Sequence, residues 1–212
     1  MSKSFLGVIV AIILVFLGIF LINGNKTKDA KTSSSGATTN HTIGTSPKGV
    51  TLQEFGDFQC PYCGQYFPVI KQVQEKYKDQ VVFQFSHFPI TTAHPNAFAA
   101  ARASEAAAKQ NKFWEMHDLL YGNQQQWSSL SDPSDAFEAY AKSLGLNVAQ
   151  FTKDSASSSA NDFINADTAA ATKLGVTGTP TFYLNGKKIN VTQDVDSFSK
   201  QIDAALAKSS SQ

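Results

Sequence analysis

The sequence predicts an α/β domain, a mixed sheet covered by helices and carrying a helical insertion, preceded by an N-terminal membrane anchor. Three observations lead there. Runs dense in β-branched and aromatic residues lie near both ends of the presumptive domain, and a block of helical periodicity separates them. The segment FLGVIVAIILVFLGIFLI, from Phe5 to Ile22, has no polar side chain. As a helix rising about 1.5 Å per residue it nearly crosses a hydrocarbon core of about 30 Å. The third observation is that the chain has only two cysteines, Cys60 and Cys63, two residues apart where a strand pattern gives way to a helix pattern.

The chain divides accordingly. Residues 1–22 form a membrane anchor or signal segment. Its apolar run is longer than a signal peptide's, and NGNKTKDAK follows it instead of a small-residue cleavage site, so an anchor is the better fit, with secretion after cleavage the alternative. No cysteine lies in or just after this run, which excludes a lipid-modified cysteine anchor. Lys26, Lys28 and Lys31 behind the run outnumber Lys3 before it, and charge alone would keep the domain in the cytoplasm. A short leading segment before a long domain, and a cysteine pair suited to an oxidising compartment, place it outside the cytoplasm instead. Residues 23–46, rich in Ser, Thr, Gly and Asn, are expected to be a flexible linker in which His41 is a solvated residue. The folded domain is expected over 47–208, with the helical insertion at about 94–174 and a frayed tail at 209–212.

The elements follow in order. Val50 to Phe58 reads as a strand. A helix begins at Cys60-Pro61, because proline is tolerated in a first turn, and continues through Phe67, Ile70, Val73 and Tyr77 with Pro68 as its kink point. Val81 to Phe88 is the second strand. Helical segments follow from NAFAAARASEAAAKQ onward, one of them opened by Asp132 as cap with Pro133 in its first turn and closed by Gly145. Two apolar runs around Asn185-Gly186 give a hairpin. A last amphipathic helix carries Val195, Phe198, Ile202 and Leu206 behind an Asp194 or Asp196 cap.

Four of the 18 Lys+Arg residues and one of the 17 Asp+Glu residues precede Pro47, so the domain is slightly acidic and has no nucleic-acid footprint. A structural zinc site needs four ligands, and His87, His94 and His117 lack ligand spacing to one another; no metal is expected. A staple across two residues would constrain the unfolded chain little. A redox pair is the remaining reading. Unpaired N–H groups and the positive dipole end of a helix stabilise a thiolate, making Cys60 the exposed, attacked sulfur and Cys63, one turn on, the resolving one. His87, His94, Trp114 and Met116 are assigned to packing or helix boundaries.

The motifs EFGDFQCPYC and GVTGTPTFYLNG, with the helical block between them, resemble the thioredoxin superfamily and within it thiol-disulfide oxidoreductases of DsbA type, over roughly Lys48 to Lys208. The resemblance implies a cis Thr179-Pro180 bond packed against the cysteine pair, with Thr179 offering backbone groups to an extended substrate peptide. It implies that Glu54 is a proton relay for the buried cysteine, Asp57 being a weaker candidate, and that Pro61 and Tyr62 tune the potential, Tyr62 either meeting substrate or lying exposed. No cofactor beyond the Cys60–Cys63 disulfide is implied. The expected partners are exported proteins with reduced or mispaired cysteines and a membrane quinone-linked reoxidant or small-molecule oxidant, the domain itself being a monomer. The direction of electron flow stays open: oxidation suits the location, but reduction, isomerisation, or a tethered chaperone or binding module without turnover are alternatives.

Overall fold

The computed structural model describes residues 37–209. The apolar segment at Phe5–Ile22, the first part of the linker and the last residues of the tail lie outside them; among the described residues no helix is long and apolar enough to cross a membrane. The elements are β1 His41–Ile43, β2 Thr51–Gly56, α1 Pro61–Tyr77, β3 Val82–His87, α2 Ala97–Ala108, α3 Phe113–Gly122, α4 Gln124–Trp127, α5 Ser134–Ser143, α6 Val148–Ser155, α7 Ser158–Lys173, β4 Thr181–Leu184, β5 Lys187–Ile189 and α8 Val195–Lys208.

The five strands form one sheet in the order β1-β3-β2-β4-β5. The central pair, β2 and β3, is parallel and the other pairs are antiparallel. A parallel pair needs a crossover, which α1 supplies. Asn185 and Gly186 at φ 49° and 73° join β4 to β5, the double left-handed conformation that a two-residue hairpin turn requires. Helices α2 to α7 are inserted between β3 and β4.

Alternation along β2 sorts its residues between faces. Leu52 joins Ile70, Val73 and Tyr77 of α1 and Phe198, Ile202 and Leu206 of α8 in one cluster, while Phe55 packs with Ala171, Val176 and Tyr183 in another. A third cluster holds both cysteines with Phe58, Phe85, Met116, Tyr121 and Trp127, so the helical insertion shares its core with the active helix. Pro68 lies inside α1 without ending it.

Three expectations need correction. The linker does not run to Ser46: His41–Ile43 is an edge strand on β3, and just before it Thr39 N and Oγ1 donate to the Asp167 carboxylate at 2.8 and 2.5 Å. His41 is not a solvated residue. Its Nε2 meets Glu105 Oε1 at 2.5 Å, its ring stacks on Phe113 at 3.5 Å, and His87 Nε2 meets the same carboxylate oxygen at 2.8 Å. Burial pushes Glu105 up, but the two histidines outweigh it and hold the carboxyl down at about 2. The cap of α5 is also displaced. Pro133 stands at the N-cap position, and Asp132 Oδ1, one residue earlier, accepts from Ser134 N and Oγ. Gly145 follows α5 at φ 72°, and Asp194 caps α8 by accepting from Ser197 N at 2.7 Å.

Candidate active site

The sequence of β2 runs out of strand at Asp57 and re-enters helix at Pro61, leaving Cys60 as the N-cap of α1 with extended φ/ψ of −64° and 121°. Asp57 builds this corner. It is fully buried, its Oδ1 accepts from Gln59 N at 2.8 Å, and its Oδ2 accepts from Ile90 N at 2.8 Å and from His94 Nδ1 at 2.7 Å. Those bonds occupy the carboxylate, so Asp57 is a structural acid and His94 its partner. From the insertion, Gln124 Nε2 donates to Phe58 O at 2.7 Å and to Cys60 O at 2.9 Å. Its Oε1 lies against Gly64, where a Cβ would come within 2.4 Å of it. Sequence reasoning missed Gln124, marked locally only by the amide run QQQW and dependent on α4 docking beside α1, and Gln59, whose side chain donates to Ser128 O and accepts from Asn96 N of the insertion.

Cys60 and Cys63 are unbridged and both buried, at 4% and 1% exposure. Cys60 is therefore less open than expected, because the chain before β4 covers it: its Sγ donates to Thr179 O at 3.4 Å. The Thr179-Pro180 bond is cis. Tyr62 is 66% exposed, next to a groove that it lines with Tyr66, Thr179, Pro180, Ile189 and Val191. Pro61 occupies the first turn of α1.

The two sulfurs have opposite acidities. A hydrogen bond from the Cys63 thiol, foremost, holds the Cys60 thiol down to about 5 from an ordinary 9.0; the backbone N–H groups of Cys63 and Tyr62 assist, against burial. Burial, foremost, pushes the Cys63 thiol well above its ordinary value, and the bond to Cys60 and the charge of Glu54 add to it. Glu54 lies at 9% exposure on the same face of β2 as Leu52, and burial with the charge of Cys60 raises its carboxyl to about 8. At neutral pH Glu54 is thus mostly a proton carrier. His117 is buried, burial pushes its imidazole below the ordinary value, and with Trp114 and Phe85 it lines the same small cavity as Glu54.

Gly56 ends β2 under this site. A Cβ there would stand 2.4 Å from Phe85 Cε2 and 2.9 Å from the Tyr121 hydroxyl. Phe85 is a fully buried ring that would have to move, so Gly56→Ala is expected to lower unfolding free energy by about 1–3 kcal/mol, measured by urea titration. Parental stability in that variant would show the corner to be looser than drawn.

A cysteine pair at the start of a helix, one thiol acidic and the other shielded, beside a cis-proline loop on a mixed sheet, has the layout of a thiol-disulfide oxidoreductase. A family model described as thioredoxin matches residues 36–204. The chain belongs to the thioredoxin family. Its fold is shared with BdbD of Bacillus subtilis in its oxidised form, at a TM-score of 0.71 and 24% identity over 79% of this chain and 93% of that one. It is shared too with alpha-DsbA1 of Wolbachia pipientis, at a TM-score of 0.70 and 21% identity over 81% and 92%. In sequence the chain is 37% identical over 167 residues to a protein of Salinispora tropica named Na(+)/H(+) antiporter NhaA 3, covering 79% of this chain and 25% of that protein. The chain thus matches about a quarter of the length of that relative.

Proposed function

We propose that the protein is a thiol oxidase held on the outer side of the cytoplasmic membrane, introducing disulfides into exported proteins through its Cys60–Cys63 disulfide. The observation that carries this reading is the acidic Cys60 thiol, at about 5. A thiolate stabilised in the dithiol form makes the disulfide eager to accept electrons, since stabilising the reduced state raises the reduction potential. A substrate thiolate attacks Cys60 Sγ, the Cys60–Cys63 bond breaks, and its electron pair goes to Cys63, which is protonated by way of Glu54. A second substrate thiolate then attacks the substrate sulfur of the mixed disulfide and releases Cys60 as a thiolate, leaving an oxidised substrate and a reduced enzyme. The groove beside Thr179 and Pro180 is where an extended substrate segment would lie.

The electrons must leave again, which calls for a quinone-linked membrane partner or a small-molecule oxidant. The apolar stretch Phe5–Ile22 supports an anchored, extracytoplasmic location, and a membrane setting also agrees with the name of the Salinispora relative. Equilibrating the pair against glutathione tests the direction. The oxidase reading expects a potential nearer about −120 mV than about −270 mV; a thioredoxin-like value would make the protein a reductase.

A further inference from the structure

Among the described residues three buried side-chain polar atoms have no hydrogen-bond partner: the Tyr121 hydroxyl, Asn161 Oδ1 and Thr179 Oγ1. Buried polar groups are almost always paired, so each unpaired one asks for an explanation. Two of the three face the redox pair. Thr179 stands beside Cys60, whose Sγ reaches its carbonyl, and Tyr121 packs in the buried cluster that holds Cys63.

Tyr121 is held there by its ring. It is 5% exposed, lies 4.9 Å from Phe58 and 5.5 Å from Phe67 in a near-parallel stack, and meets His117 edge-on at 5.0 Å. Gly56, lacking a Cβ, leaves room for the hydroxyl. Besides His117 against the ring, the ionisable groups around it are Cys63, Glu54 and Asp57. Asp57 is committed to Gln59, Ile90 and His94. Cys63, packed in the same buried cluster, is the group the hydroxyl can reach, though no aligned bond forms with its neutral thiol. A thiol sulfur is a weak acceptor, and a thiolate is a strong one.

We infer that Tyr121 is the hydrogen-bond donor to the Cys63 sulfur while that sulfur carries negative charge, a role that rests on the disulfide-exchange reading above. When an incoming thiolate attacks Cys60 Sγ, the new S–S bond forms as the Cys60–Cys63 bond breaks and the electron pair moves to Cys63 Sγ. The Tyr121 O–H donates to that sulfur and keeps its own proton; Glu54 supplies the proton that converts Cys63 to the neutral thiol. In the reverse direction the same hydroxyl supports the Cys63 thiolate as it attacks a mixed disulfide. Neither end state contains a Cys63 thiolate, so the hydroxyl lowers the barrier without shifting the balance between disulfide and dithiol.

The test is Tyr121→Phe in the full chain, with the oxidised protein reduced by dithiothreitol under stopped-flow conditions. Loss of one hydrogen bond to a charged sulfur is expected to slow reduction about tenfold. The potential against glutathione stays unchanged, and the melting temperature does not fall, because the deleted hydroxyl has no bond in the dithiol form. A rate equal to the parent's overturns the inference, as does a slower rate accompanied by a changed potential or a lower melting temperature, which would mark a packing residue. If the parent's disulfide itself reacts with dithiothreitol no faster than an unstructured one, the exchange reading has failed instead.

Discussion

Glu54→Gln gives a protein more stable than its parent at pH 8 and slower in exchange. Glu54 is buried on β2, and burial raises its carboxyl to about 8. A raised carboxyl favours folding below the unfolded value near 4.5, and that contribution is lost as pH climbs to about 8, because the folded chain holds a proton that the unfolded chain has given up. The glutamine variant escapes the loss. Its advantage is absent at pH 4, grows between pH 4.5 and 8, and reaches roughly 1–3 kcal/mol once the cost of burying an amide is deducted. Paired urea titrations of the reduced proteins at pH 4 and pH 8 measure it, and equal stabilities at pH 8 would contradict the burial argument. Exchange at pH 7 slows by about 10² because the variant has no proton to give the departing Cys63. Greater stability with lower activity is the signature of a group retained for chemistry at a cost to the fold.

The second large effect is an inverted redox stability. Disulfides commonly stabilise, but one closed across two residues restrains the unfolded chain little, whereas breaking it creates a Cys60 thiolate held at about 5. The depressed thiol contributes fully above its ordinary 9.0, partly at pH 7, and not at all once pH falls through about 5. The dithiol form should therefore melt above the disulfide form at pH 7. With solvent screening of a partly accessible sulfur allowed for, a contribution of ~1 kcal/mol corresponds to about 2–4 °C in a domain of this size. The gap should widen toward pH 9 and close near pH 5. Scanning calorimetry of the two forms across that range decides the matter, and a disulfide form that melts higher at pH 7 would remove the main support for an oxidase.

The active helix and the hairpin were legible because each is written in contiguous residues, whereas the cis Thr179-Pro180 loop was expected only from the family resemblance. Cys60-Pro61 opens a helix through the backbone chemistry of a first turn, and Asn185-Gly186 makes a tight hairpin because both positions accept left-handed backbone. Placing Glu54 under the cysteines needed more than alternation, which orders the faces of a strand without saying which one meets α1. The assignment of His41 failed for a related reason. Its neighbours are polar and small, and nothing adjacent reveals that Glu105, Phe113 and β3 await it across the fold.

By itself, then, the sequence determined the family resemblance, the order of elements and the candidate redox pair, since those depend on local backbone preference and on having just two cysteines. Only the tertiary structure decided how acidic each sulfur is and which groups attend it. Cys60 and Cys63 stand one turn apart on the same helix, yet one is lowered foremost by the Cys63 thiol, with backbone N–H groups assisting, and the other raised by burial beside Glu54. Tyr121 and Gln124, neighbours in the insertion, reach the corner that Asp57 builds before α1 from far along the chain. Acidity is a sum over neighbours in space, and packing the insertion against the sheet is what chooses those neighbours.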